Sequence, residues 1–485
     1  MNGSPYALGF RTLEREVSAC PLVIQGELPS WLYGSLLRTA PARFEVGSRE
    51  LRHWFDGFAM LHAFELGDGA VRYSNRFLTS RSYSEAMEKG RLTRGEFMSD
   101  PCRSLFGRIM AIFHRKVTDN ANVNISVLAN ELVALTETPM PVRFDPHTLQ
   151  TLGHVNPDPG VSGQISTAHP HYDGRCGYSF AIHMGRRSFY RFFSDSNGHQ
   201  RLLASVPVTH PSYLHSVGMS DRYLVLVEFP LRVNPLRLAL SSRPFITNYR
   251  WQPELRTRFT VIDKSTGAVM ARASAPPCFA FHHVNAYESD GAVLVDLLAY
   301  PDAEIIENLR LERLRAGLSV ALASTLTRFR ISVAGHGAPS RVQEIDPQQL
   351  CATPFELPRI DYQRRAGKPY RFVWGVAQSV PESFLDTIVK VDLADEAHAR
   401  VASWGKPGYF AGEPVFVPHP EGEAEDEGVL LSVVLDADRT NSFLLVLNAA
   451  NLREIARAQV PHHIPFGFHG NYFSAATLRA LSRSA

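Results

Sequence analysis

Four histidines stand out by their settings: His169 in TAHPHYD, His215 in SYLHSVG, His282 in FHHVNAYE and His469 in IPFGFHG. They lie 46, 67 and 187 residues apart, which excludes a helical HExxH site or a zinc-finger loop, whose ligands come from neighbouring turns. Imidazoles so widely separated act together only if a rigid scaffold brings distant segments to one point, where they would grip a single metal ion. The chain has 19 histidines, so residue type alone selects none of them. Context does: His169, His282 and His469 are framed by small or aromatic residues, and His215 precedes the strand-like RYLVLVEF, which fixes a side-chain direction.

Four neutral imidazoles suit iron, zinc, copper or nickel. Zinc with four ligands closes a tetrahedral structural site, whereas iron(II) prefers six positions and keeps two for dioxygen or substrate. A ligating histidine commonly donates its other ring N–H to a carboxylate. Glu137 in ALTETP, Glu356 in FELPRI and Glu413 in GEPVFV are the candidates, because each lies in an apolar run where an unpartnered carboxylate is costly. The plainer alternative is a set of edge-strand glutamates facing water.

The elements that must position these groups read as strands: YLVLVEF (223–229), GAVLVDLLAY (291–300), GVLLSVVLD (428–436) and SFLLVLNA (442–449). Helical stretches are few, the clearest being AEIIENLRLERLRAG (303–317) and the amphipathic CRSLFGRIMAIFHRKV (102–117). A faint repeat of strand, acidic or amide turn, strand recurs in VRFDPHTLQTLGHV, TVIDKSTGAVMARA, VKVDLADEAHARVA and LVLNAANLREIARA. Asp145, Asp263, Asp392 and Asn448 then sit at the turns, where Asp and Asn bond their own backbone. Some copies lie about 50 residues apart, near the length of a propeller blade, and the whole length accommodates seven blades of about 70 residues. Such hairpins occur in any large β protein, so the repeat alone leaves the architecture open. The histidines favour a propeller, because inner strands converging on one axis bring remote ligands together. No Gly-, Ser- or Pro-rich linker interrupts the chain, which favours a single domain over residues 1–485.

Bulk properties are those of a soluble globular protein with ample core: 485 residues, 45% hydrophobic, 20% charged and formal net charge +2. With 50 basic residues against 48 acidic ones and no basic block, a nucleic-acid partner is not expected. Cys20, Cys102, Cys176, Cys278 and Cys351 form no CxxC or CxxCH pattern, so a reducing cytoplasm is the simplest reading. The start MNGSPYALGFRTLEREV lacks the basic and apolar regions of a signal peptide, and no apolar run of about 18 residues could span a bilayer. Membrane contact would be peripheral.

Read together, LPSWLYGSLLRTAPARFEVG and HWFDGFAMLHAF (28–64), YSNRFLTS, TDNANVN, TETP, the four histidine phrases and the final FGFHG resemble the carotenoid cleavage oxygenase family over almost the whole chain. SDPCRSLFGRI, VTDNANVN, SYLHSVGMS and FHHVNAYE are similar to its animal branch of carotene oxygenases and the retinoid isomerase, while IPFGFHG is closer to the oxygen-using members. Two departures stand out. RTAP replaces the usual RNGP, which puts a local turn in doubt, and Ser216 stands where many plant and bacterial members have Asp.

The resemblance implies an all-β, seven-bladed propeller with a helical or loop cap over the active-site face and one non-haem Fe(II) per chain on its axis. His169, His215, His282 and His469 match the family's iron ligands, with His282 rather than His283 in the ligand position, and Glu137, Glu356 and Glu413 match the glutamates that fix ligand tautomers. The implied reaction is cleavage of a carotenoid or apocarotenoid double bond by O2 to two carbonyl products. Phe97, Tyr213 and Tyr300 are the expected substrate-cavity aromatics. Leu105, Phe106, Ile109, Met110, Ile112 and Phe113, beside four basic residues, have the mix of an interfacial helix at a peripheral membrane surface, with FPLRVNPLRLAL (229–240) as a second apolar loop at a tunnel mouth. Stilbene cleavage on the same fold is an alternative, opposed by Thr136 where that branch has a lysine before the glutamate. Retinoid isomerisation without oxygen and a non-catalytic carotenoid- or metal-binding propeller are the others.

Overall fold

Along Ala292–Ala299, Gly428–Asp436 and Asn441–Asn448 the period-2 pattern of a half-exposed strand is lost, and nearly every residue is buried. Strands of this kind must be covered on both faces. The computed structural model, which describes residues 4–101, 117–155, 163–196, 198–241, 243–317, 322–333 and 341–484, shows how. Seven sheets of four to six mainly antiparallel strands follow one another in chain order and pack face to face as the blades of a propeller. Middle strands are therefore sandwiched between neighbouring blades.

Both termini close the ring. The strand Gly470–Ser474 adds the innermost strand of the first blade by pairing with Gly34–Arg43, from Gly34↔Ser474 to Arg38↔Gly470. The strand Val23–Gly26 adds the outermost strand of the seventh by pairing with Glu454–Gln459. The seam between these blades is filled by Leu36, Phe64, Val415, Leu431 and Leu444. Gly26 takes φ +90°, and a Cβ there would stand 2.2 Å from the Ile455 carbonyl oxygen. Gly26→Val is expected to destabilise the protein by about 1–3 kcal/mol through overpacking of the closure, which a shifted thermal melt relative to wild type would register.

The acidic turns behave as their chemistry dictates. Asp145 Oδ1 accepts the N–H groups of His147 and Thr148, Asp263 Oδ1 those of Ser265 and Thr266, Asp392 Oδ1 that of Ala394, and Asn448 Oδ1 those of Ala450 and Asn451. Each caps the hairpin between the outer two strands contributed by its own stretch of chain. RTAP, expected to affect a turn, instead lies inside the ten-residue strand Gly34–Arg43, buried along almost its full length.

Loops and short helices gather over one face. The expected helix 303–317 is two helices, Glu304–Asn308 and Leu311–Ala316. The break has a physical cause: the Leu309 carbonyl accepts Trp54 N–H and the Leu311 N–H donates to the Arg52 carbonyl, so the loop carrying HWFDG takes up the backbone groups that would continue the helix. That loop is itself stapled. Asp56 accepts hydrogen bonds from His53 N, Met98 N and Ser99 Oγ, while Asn120 and Asn122 donate to the carbonyls of Phe55, Asp56 and Gly57. TDNANVN thus reads as scaffolding for the cap. The stretch 102–116, with Leu105, Phe106, Ile109, Met110 and Phe113, lies outside the described residues. No helix among the described residues is long and apolar enough to cross a membrane.

Candidate metal centre

The four histidines stand just before strands of four different sheets. His282 and His469 immediately precede His283–Ser289 and Gly470–Ser474; His169 and His215 lie just before His171–Tyr172 and Gly218–Met219. One ring nitrogen from each falls in a group whose members are all within 4.8 Å of one another. His283 turns away, its Nδ1 on Ser216 Oγ at 2.8 Å, and Ser216 also donates to the Phe281 carbonyl at 2.7 Å. His171 likewise faces Tyr362 and the Val217 carbonyl.

Three carboxylates set the tautomers. Nδ1 of His215 meets Glu137 Oε1 at 2.6 Å, Nδ1 of His282 meets Glu356 Oε2 at 2.5 Å, and Nδ1 of His469 meets Glu413 Oε1 at 2.7 Å. A carboxylate only accepts, so each Nδ1 carries the proton and each Nε2 presents a lone pair. Nε2 of His282 and Nε2 of His469 are 3.1 Å apart, two acceptors with no proton between them. Such lone pairs repel unless a cation lies among them, and a divalent transition-metal ion fits this donor set. His169 has a different support: its backbone N–H donates to Thr167 Oγ1 at 2.8 Å, and Asn124 holds the preceding Ala168 carbonyl at 2.9 Å. Its Nε2 lies 2.9 Å from that of His215.

At His169 and His469 the surroundings favour the neutral ring. Burial, with three other imidazoles around it, drives His169 well below the ordinary histidine value, and burial pushes His469 down to about 4 against the pull of Glu413. Neutral imidazole is the form that ligates. Burial would raise the Glu413 carboxyl, but Arg359 and His469 hold it well below the carboxylate range. Glu356 is also lowered: burial opposes, and His282, the Leu357 N–H and Tyr300 prevail. Leu357 pays for that contact in conformation, standing at φ +51° where a leucine is strained.

Arg359 was not legible as a functional residue. Its Nε donates to Glu413 Oε1 at 2.8 Å, Nη1 to Asn471 Oδ1 at 3.2 Å and Nη2 to the Gly470 carbonyl, while Gly470 N–H donates to Glu413 Oε2 at 2.9 Å. It clamps the glutamate and the strand that follows His469. The only available signal was a basic residue three positions after Glu356 in FELPRI.

The cluster opens onto a cavity of about 430 Å³ whose wall includes His215, His282, His469, Glu137 and Glu356. Trp54, Phe55, Phe281, Phe384 and Phe468 make it strongly aromatic. Phe55 alone lies 5.1 Å from Phe97, 5.8 Å from Phe281 and 5.0 Å from Phe468 between ring centroids. Phe97 and Tyr300 are in the wall. Tyr213 is fully buried with its hydroxyl on Glu137 at 2.9 and 3.0 Å, and Tyr300 donates to Glu356 Oε1 at 2.8 Å. Buried phenols need an acceptor, and both tyrosines find theirs in a histidine-bound carboxylate. Sequence reasoning missed Phe55, Phe281, Phe384 and Phe468, which no local pattern distinguishes from core.

The family profile described as retinal pigment epithelial membrane protein matches residues 10–474. The chain is 33% identical to the carotenoid-cleaving dioxygenase, mitochondrial, of Macaca fascicularis, covering 95% of this chain and 93% of that protein. It is 30% identical to the beta,beta-carotene 15,15'-dioxygenase of Rattus norvegicus, covering 98% and 92%. In structure it is similar to cobalt-substituted Synechocystis apocarotenoid oxygenase, with a TM-score of 0.84, 28% identity, and coverage of 97% of this chain and 99% of that one.

Proposed function

Since the chain belongs to the retinal pigment epithelial membrane protein family of carotenoid oxygenases, we propose that it oxidatively cleaves a carbon–carbon double bond of a carotenoid or apocarotenoid with O2, giving two carbonyl products. The observation that carries this reading is the set of three histidine–glutamate pairs whose free ring nitrogens converge on the wall of an aromatic cavity. We assign His169, His215, His282 and His469 as the ligands of one Fe(II). When bound, iron supplies the activation of dioxygen that no side chain provides.

The chain's own residues do the rest. Glu137, Glu356 and Glu413 accept the Nδ1 protons and hold each Nε2 toward the common centre, and Arg359 keeps Glu413 ionised and in place. The aromatic wall excludes water, and its ring faces favour positive charge developing along a polyene. Phe97 and Tyr300 orient the chain of double bonds, and Tyr213 acts by positioning Glu137. Both oxygen atoms end in the two carbonyls, so no reductant is needed. Thr136, also in the wall, brings no cation to a phenol, which disfavours a stilbene.

Iron-loaded protein incubated in detergent with β-carotene, apocarotenals and a hydroxystilbene is expected to release aldehydes or ketones from the carotenoid compounds in air and none under argon, as identified by mass. Iron bound without any cleavage would overturn the assignment.

We also propose that the enzyme meets its substrate at a peripheral membrane surface on the cytoplasmic side. The helix Pro235–Leu240 exposes Leu236 at 71% and Leu240 at 60%, while its Pro235, Leu238 and Ala239 line the cavity. Two exposed leucines at a cavity mouth are what an interfacial anchor requires. Replacing both by Ser is expected to lower the bound fraction in a vesicle sedimentation assay by about tenfold, given about 1.5–3 kcal/mol for full burial of one such side chain and only partial insertion. Undiminished sedimentation would argue for another docking face.

A further inference from the structure

Behind the strand that follows His469 lies a buried cation that no carboxylate touches among the described residues. Arg38 belongs to the strand Gly34–Arg43, pairs with Gly470 across the sheet, and is only 4% exposed. Its guanidinium fits between two glycines: a Cβ at Gly412 would stand 3.3 Å from Nη1, and one at Gly467 would stand 3.4 Å from Nη2. Nη2 donates to the Phe468 carbonyl at a long 3.5 Å, and Nη1 is buried with no hydrogen-bond partner among the described residues. Glu413 attracts Arg38 through space, but its oxygens already accept Arg359, His469 and the Gly470 N–H.

A second donor is stranded beside it. His62 is 2% exposed, its Nδ1 lies 2.8 Å from Tyr73 Oη, and its Nε2 is buried without a partner among the described residues. Tyr73 is fully buried, and a buried phenol needs an acceptor, which His62 Nδ1 provides. The phenol therefore donates to Nδ1, and the ring proton of His62 sits on Nε2. Arg38 and His62 line one cavity of about 20 Å³, separate from the aromatic one and sharing no residue with it. Ala40, Val433, Leu435 and Ile464 supply apolar wall, and no acidic side chain lines the space. That volume admits one particle of about the size of water. A water would match the donors and leave the buried charge unbalanced, whereas a small anion does both. Carboxylates and polyatomic oxyanions are too large for it.

From two unmatched donors around one small cavity, we propose that the protein binds a single halide ion, chloride being the abundant one, as the counter-ion of Arg38. The ion accepts from Arg38 Nη1 and His62 Nε2. It thereby ties the strands Gly34–Arg43 and Phe58–Gly67 to residues 464–467, the segment that leads to His469. The site takes no part in cleavage and does not depend on the substrate assigned above.

Crystals of the full wild-type chain grown in sodium bromide locate the ion without any variant: an anomalous-scattering peak is expected in contact with Arg38 and His62. Urea unfolding, followed while sodium gluconate is replaced by sodium chloride at constant ionic strength, reads the affinity. Above the dissociation constant, one site lowers the unfolding constant about tenfold for each tenfold rise in chloride. Arg38→Met keeps an apolar stem, removes the charge, and is expected to lose this dependence. His62→Phe keeps a ring, removes one donor, and is expected to weaken chloride at least about tenfold, the worth of a hydrogen bond to a charged group. It carries the same test if Arg38→Met fails to fold. No bromide in the Arg38–His62 cavity, a wild-type stability indifferent to chloride, or an undiminished dependence in a folded variant overturns the proposal.

Discussion

His282→Ala is expected to abolish metal retention and cleavage together. Three observations make this replacement severe. His282 Nε2 belongs to the group of ring nitrogens lying within 4.8 Å of one another, its Nδ1 is held by Glu356 at 2.5 Å, and its ring is buried. Alanine removes one of four donors and strands Glu356 with only the Leu357 N–H and Tyr300 hydroxyl. Loss of a partner behind a metal ligand costs about 10–100-fold in affinity, so loss of the ligand itself should exceed about 100-fold. Metal content after gel filtration, measured by elemental analysis, should fall from one ion per chain to background. His283→Ala is the matched control, because His283 faces Ser216, and it should retain metal. Full metal content in folded His282→Ala would refute the ligand assignment.

Glu413→Ala should damage both stability and the metal site. Its side chain is fully buried and accepts from Arg359 Nε, His469 Nδ1 and Gly470 N–H. Removing it leaves a guanidinium, 21% exposed, without its carboxylate. Breaking one side of a buried ion pair costs about 3–5 kcal/mol. The His469 tautomer is then no longer dictated, and affinity for the metal should drop about 10–100-fold. Denaturant unfolding of the metal-free protein isolates the first effect, and competitive chelation of the loaded protein the second. Glu413→Gln should recover part of the affinity, since its amide oxygen still accepts the Nδ1 proton, but little of the stability, since the charge facing Arg359 is gone. Stability equal to wild type in Glu413→Ala would show that Arg359 finds another partner.

Hairpin turns were legible because their cause is local. Asp145, Asp263, Asp392 and Asn448 bond backbone groups two or three residues ahead, so a short window contains the whole interaction. The same locality misled at 303–317, where helical periodicity is real but the Leu309 and Leu311 backbone groups are claimed by Arg52 and Trp54, far away in sequence. RTAP differs from the usual family pattern at a point that is strand, so the substitution bears on packing rather than on a turn.

The sequence by itself determined which residues had the chemistry. Four histidines and three glutamates, each in an apolar or aromatic setting, are types whose burial demands partners, and their local phrases carried the family resemblance. It also determined the alternation of strand and turn from which blades are made. Only the tertiary structure decided which glutamate holds each of His215, His282 and His469, the clamp by Arg359, the retreat of Tyr213 behind Glu137, and the presence of Glu96 in the cavity wall. The reason is that these are contacts between blades. They depend on how far each first strand is advanced along the axis and which way its entrance turns, and those quantities are set by ring closure and packing across the whole chain.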